Sequence, residues 1–132
     1  MGEEWDEGVW EIPNVKANHP EKTAHPCQYP VELAERCVLA FTSEGDTVLD
    51  PYAGVASSLV AAVRHRRKAL GVDRCREYVD TGLDRLRLLR AGKLKTRRAG
   101  TPVYRPTGRD VVSRVPPEWL SGNTAYPRAE RR

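Results

Sequence analysis

Two short β-rich runs, Thr47-Val48-Leu49-Asp50 and Lys68-Ala69-Leu70-Gly71-Val72-Asp73, stand with only residues 51–67 between them, and most of that interval carries a helical pattern. Two strands joined through a helix fit one sheet as a parallel, right-handed crossover, so this spacing predicts a strand, a tight loop, a helix and a second strand beside the first. Neighbouring segments extend the pattern. Pro30 suits the first turn of a helix, and Glu32 and Glu35 favour the same end through the helix dipole. Leu33, Ala34, Cys37, Val38 and Phe41 then recur at helical spacing, predicting one apolar face up to the Ser43-Glu44-Gly45-Asp46 turn. The crossover helix is expected over Ser57–His65 with Leu59, Val60 and Val63 inward. A further helix is expected over Arg76–Arg90 on Tyr78, Val79, Leu83, Leu86 and Leu89. The predicted fold class is α/β, a partial Rossmann-like arrangement of a short parallel sheet with flanking helices.

The flanks read differently. Residues 1–29 hold Trp5, Trp10, Pro13, Pro20 and Pro26 without sustained periodicity and read as an extended arm, with strand character only at Val9–Ile12. An aperiodic stretch of that length inside a small domain is expected to line a site. The core is placed at 30–91, and residues 92–132 are expected to form a basic, proline-containing extension. Within it Val103 and Tyr104 suggest a strand, and the last dozen residues suggest disorder. At 132 residues, 39% hydrophobic and 30% charged, the chain suits one small globular core. The apolar run Leu59–Val63 is too short to span a bilayer and the acidic start is unlike a signal peptide, so a cytoplasmic location without membrane contact is expected.

Three cysteines, Cys27, Cys37 and Cys75, lack paired spacing and predict reduced, mostly structural thiols. His19, His25 and Cys27 lie close together, but prolines follow both histidines and a fourth ligand is missing, so no metal site is expected. Charge is lopsided. Residues 1–83 carry 9 basic and 14 acidic side chains, whereas residues 84–132 carry 13 basic and 4 acidic ones. Arg87, Arg90, Lys93, Lys95, Arg97 and Arg98 are the candidates for neutralising nucleic-acid phosphates, which makes DNA the expected partner.

The chemistry concentrates in Asp50-Pro51-Tyr52-Ala53-Gly54-Val55-Ala56-Ser57-Ser58, with Asp73 at the end of the next strand. Ligands bind outside the carboxyl ends of parallel strands, and a loop of small residues lets backbone approach them closely. Helix N-terminal N–H groups near Ser57 and Ser58 favour an anionic group, and an acid at the second strand tip suits two ribose hydroxyls. These features describe a pocket for an adenosine-containing cofactor. A dinucleotide is disfavoured, because only Gly54 of the G-x-G-x-x-G series is present and Asp50 would repel a pyrophosphate. S-adenosylmethionine, with a positive centre and an amino group, fits better. Taken singly, Asp50 and Asp73 also read as ordinary turn or cap residues.

Three segments together, His25-Pro26-Cys27-Gln28-Tyr29-Pro30-Val31-Glu32-Leu33, Gly45-Asp46-Thr47-Val48-Leu49-Asp50-Pro51-Tyr52-Ala53-Gly54, and Gly71-Val72-Asp73 with Glu77-Tyr78-Val79, resemble the C-terminal part of the DNA amino-methyltransferases. Those enzymes methylate adenine N6 or cytosine N4, here in the order that puts the catalytic motif first. The resemblance covers roughly residues 9 to 90 and implies a partial methyltransferase fold. It also implies that Asp50, Tyr52, Gly54, Ser57 and Ser58 surround the methionine part of the cofactor and Asp73 holds the ribose. Thr23, His25 and Gln28 would approach from the other side.

Two departures stand out. Ala56 replaces the family's usual second glycine, so its methyl is expected to crowd the loop or demand a φ below zero. The family's catalytic [DNS]-P-P-[YFW] tetrapeptide, which holds the flipped base, is absent, and Asp50 cannot serve it while also holding the cofactor. No catalytic residue is therefore assigned. The expected function is the cofactor-binding portion of such an enzyme, as one chain of a split enzyme with a second chain supplying the tetrapeptide, as a truncated product, or as a nucleic-acid-binding remnant.

Overall fold

In the computed structural model, which describes residues 9–16 and 18–102, three helices and two strands run in the order α1 (Val31–Phe41), β1 (Thr47–Asp50), α2 (Ser57–Arg64), β2 (Lys68–Gly71) and α3 (Arg76–Arg90). The strands are parallel, with Thr47 opposite Lys68, Val48 opposite Ala69, Leu49 opposite Leu70 and Asp50 opposite Gly71. The crossover unit thus has the order its spacing dictates. Helix α2 ends at Arg64 with His65 as its cap, and β2 stops at Gly71, short of Asp73. Val9–Ile12 is not a strand, because the sheet among the described residues holds β1 and β2 alone. Val103, Tyr104 and the final dozen residues lie outside the described residues.

Pro30 sits one position before the helix rather than in its first turn: it is extended, with φ −69° and ψ 149°, and offers α1 no side-chain cap. Glu21, from the arm, takes that place by accepting the Val31 N–H at 2.8 Å. The buried face of α1 also differs from the expected one. Val31, Ala34 and Val38 pack with Val60 and Ala61 of α2, while Leu33 and Cys37 are exposed and Phe41 is almost fully so. Cys27 is exposed as well, so neither it nor Cys37 is a core thiol. Leu83 of α3 likewise faces solvent, whereas Leu86 and Leu89 reach the core. The small side chains Ala34, Ala61 and Val31 let α1 and α2 approach closely, but they bury little apolar area each.

What fills the remaining interior is charge. Glu21, Glu32, Glu35 and Arg85 are all buried. Glu32 pairs with Arg36 at 3.0 Å and Arg97 at 2.9 Å, and Glu35 with Arg64 at 2.8 Å. Glu21 faces Arg85 at 3.8 Å and also accepts the Arg97 N–H at 3.1 Å. Together with the Gly100 N–H donated to Glu32 and Leu94 packed on the core, these contacts fasten residues 92–102 across α1 and α2. The beginning of the extension is therefore part of the packed body.

The sheet is covered on one side. Leu49 and Leu70, paired in register, are 64% and 59% exposed, and Val72, two residues on and so on the same face as Leu70, is 61% exposed. No helix long and apolar enough to cross a membrane occurs among the described residues.

A buried ion pair broken by loss of one partner leaves an uncompensated charge, costing about 3–5 kcal/mol, while an exposed pair is worth about 0–1 kcal/mol. Glu21→Ala should therefore lower the unfolding free energy measured by urea titration by about 3 kcal/mol or more. Glu44→Ala, which removes the exposed Arg66–Glu44 pair, should shift it by less than about 1 kcal/mol.

Candidate functional site

The carboxyl ends of β1 and β2 open onto two depressions that share Tyr52 as a wall. The larger, about 710 Å³, is lined by Pro51, Tyr52, Val72, Asp73, Arg74, Cys75 and Tyr78. The smaller, about 90 Å³, lies between the arm, at His25, Cys27, Gln28 and Tyr29, and the loop from Tyr52 to Ser57. The loop runs close against β2, and Gly71 permits this: a β-carbon there would fall 2.5 Å from Leu59 Cδ1 and 2.9 Å from Ala53 Cβ. Gly54 is required for two reasons, a φ of +50° and His25 Nε2 at 3.1 Å from where a β-carbon would stand.

Asp73 joins the two strand ends. Its Oδ2 accepts the Gly54 N–H and its Oδ1 the Cys75 N–H, at 2.9 and 2.8 Å. The Cys75 N–H, followed by that of Gly54, holds its pKa below the usual carboxylate range. An ionised carboxylate has about four acceptor positions, so each oxygen keeps one open. Asp50 is more occupied: Oδ1 accepts the Tyr52 N–H at 2.9 Å, and Oδ2 accepts both the Ser58 hydroxyl and the Tyr29 hydroxyl. Burial, opposed in part by the Ser58 hydrogen bond, raises the Tyr29 pKa, which keeps its phenol a donor. Neither aspartate forms an ion pair among the described residues, in contrast to the three buried glutamates.

The other candidates separate into two groups. Tyr52 is 86% exposed at the rim, and His25 stands against Tyr78 with ring centroids 4.3 Å apart, so both face the open depressions. Gln28 is buried: its amide oxygen takes the Thr23 N–H and hydroxyl, and its amide nitrogen donates to Glu21 O, so Thr23 and Gln28 fold the arm. Ser57 is buried too, its hydroxyl donating to Tyr29 O and accepting from Arg85. These polar groups are already hydrogen-bonded within the chain, and Gln28 and Ser57 also line the smaller depression. Ala56 does not adopt a φ below zero; it is left-handed at φ +66°, ψ +34°.

Of the basic candidates, Arg97 is spent on Glu32 and on the Thr101 and Pro102 carbonyls, and Arg87 pairs with Asp84 at 2.6 Å. Arg90, Lys93, Lys95 and Arg98 are exposed. Reading the sequence missed Arg85, whose side chain donates to Val55 O beneath the loop, and Glu21 beside it. Their one visible signal is an arginine among leucines on an otherwise apolar helix face.

The family model described as DNA methylase, of the N6/N4 type, matches residues 2–84. The type II methyltransferase M.BglII of Bacillus subtilis is 43% identical over 72 residues, covering 54% of this chain and 20% of that protein. The DNA adenine methyltransferase YhdJ of Escherichia coli is 40% identical over 78 residues, covering 59% and 26%. Among solved structures, the M1.HpyAVI–SAM complex is 32% identical with a TM-score of 0.49, covering 59% of this chain and 43% of that one. The chain thus spans about a fifth to a quarter of the length of these two curated relatives.

Because the folded state favours the Asp73 carboxylate, its contribution to stability is complete above the ordinary carboxylate pKa of about 3.9 and is lost as the pH falls through the lowered folded value. The stability gap between wild type and Asp73→Asn should be constant from about pH 7 to 5 and narrow below about pH 4 in denaturation experiments. A gap unchanged down to about pH 3 would contradict this assignment.

Proposed function

The chain belongs to the N6/N4 DNA methylase family, and from that membership we propose that it is the S-adenosylmethionine-binding portion of an enzyme that methylates an exocyclic amine of a DNA base. The observation that carries the proposal is Asp73. It is an ionised carboxylate at the rim of the 710 Å³ cleft, tied to the loop through Gly54, with Arg74 and His25 near enough to favour its charge. Its two open acceptor positions match two ribose hydroxyls. The negative charge of Asp50 complements the ammonium and sulfonium of the methionine part, and the open position on its Oδ1 can take one N–H. Tyr52 and Tyr78 offer aromatic faces to either side of the cleft.

When bound, the cofactor supplies a methyl group on a sulfonium. The chain's own residues anchor the ribose at Asp73 and keep the loop closed onto β2 through Gly71. With His25 against Tyr78 they also wall off the arm side. Holding the amine in line with the methyl is a positioning task that contributes only if the base is fixed as well. No [DNS]-P-P-[YFW] tetrapeptide is present to do that, so base capture is assigned to a polypeptide outside these residues. The exposed Leu49, Leu70 and Val72, with the edges of a sheet that has two strands among the described residues, support docking of such a segment. Arg90, Lys93, Lys95 and Arg98 are the residues proposed to meet DNA phosphates.

Calorimetry should show S-adenosylmethionine binding, weakened about tenfold or more in Asp73→Ala, as expected when a hydrogen bond to a charged group is lost. No binding at millimolar cofactor, or an unchanged affinity in the variant, overturns the assignment. Labelled methyl groups should enter DNA only when a polypeptide carrying the tetrapeptide is added. Robust methylation by the 132-residue chain alone would make Asp50-Pro51-Tyr52 the catalytic motif instead.

A further inference from the structure

We propose that α3 is the template for the loop: Gly82 and Arg85, one turn apart on one helix face, impose the conformation of Val55 and Ala56 and thereby the position of the groups that meet the cofactor. The inference rests on the reading that this loop holds S-adenosylmethionine.

Ala56 is left-handed, a conformation its β-carbon opposes, yet the residue is only 3% exposed and its methyl belongs to the cluster of Ala53 and Leu59. Strain of this kind persists only where the surroundings over-determine it. Two features of α3 do so. A β-carbon at Gly82 would lie 2.9 Å from Ala56 Cβ, well inside carbon–carbon contact distance, and would touch the Val55 carbonyl carbon at 3.4 Å, so the methyl of Ala56 occupies space that only glycine at 82 leaves open. Arg85, buried and opposite Glu21, donates to the Val55 carbonyl and, at 3.2 Å, to the Ser57 hydroxyl. The peptide that would have to turn over for Ala56 to reach a negative φ is the one whose carbonyl Arg85 holds.

The consequence reaches the cleft through covalent neighbours. Gly54, two residues before Ala56, donates its N–H to Asp73. Moving Val55 and Ala56 off α3 therefore displaces the donor that fixes the ribose-binding carboxylate. Gly82 and Arg85 touch neither depression, so both are positioning residues. In this chain the methyl at 56 and the missing methyl at 82 form a complementary pair.

The test is a double-mutant cycle on the full chain, read by S-adenosylmethionine calorimetry and by thermal unfolding. Gly82→Ala should weaken cofactor binding about tenfold, and adding Ala56→Gly to it should return the affinity to within about threefold of wild type, as coupled neighbours do. A Gly82→Ala chain that binds like wild type, or a double variant as weak as Gly82→Ala, overturns the proposal. Should Gly82→Ala fail to fold, a folded, binding double variant supports the pair and an unfolded one overturns it. Should the wild type bind no cofactor, the functional reading fails separately. Thermal unfolding then decides, with rescue of Gly82→Ala by Ala56→Gly supporting the template and additive losses overturning it.

Discussion

One buried guanidinium and one buried carboxylate hold five parts of this chain in register. Arg85 reaches from α3 to the loop at Val55 and Ser57, and Glu21 opposite it takes the first N–H of α1 and the Arg97 N–H beyond α3. Burial lowers the Arg85 pKa, and the Glu21 carboxylate works against that shift, which is the electrostatic form of the same dependence. An apolar core of valine and alanine this small could not by itself orient a loop to fractions of an ångström. The two directional bonds donated by Arg85 Nη1 can.

Acidic residues accordingly serve two ends. Glu21, Glu32 and Glu35 are buried and answered by arginines, so their charge is internal to the fold. Asp50 and Asp73 accept their hydrogen bonds from neutral donors, and Arg74 and His25 add a smaller electrostatic contribution at Asp73. Both carboxylates stand at the strand ends, Asp73 in the wall of the larger depression with Arg74 beside it.

The order of elements was legible because hydrophobic periodicity and crossover geometry are local properties; the span of α3 follows from the spacing of Tyr78, Val79 and its leucines. Burial was less legible. Leu33, Cys37 and Phe41 sit at helical spacing, yet the helix turns Val31, Ala34 and Val38 inward because small residues allow close contact with α2. Arg97 read as one of six like charges, and only the fold brings it to Glu32, 65 positions away. The Ala56 departure was visible, but not its sign. Whether alanine there avoids or endures a left-handed turn depends on Gly82, a residue with no signal of its own.

The contact between Glu21 and Arg97 spans 76 positions of a chain of 132. During synthesis the arm, α1 and the crossover unit all leave the ribosome before the segment that completes this acid's hydrogen bonds and neutralises Glu32. Until those residues are made, Glu21 lacks the Arg97 N–H, and Glu32 has Arg36 but not Arg97 as an ion-pair partner. Residues 92–102, remote from the cleft, are therefore needed before either acid has its full set of partners.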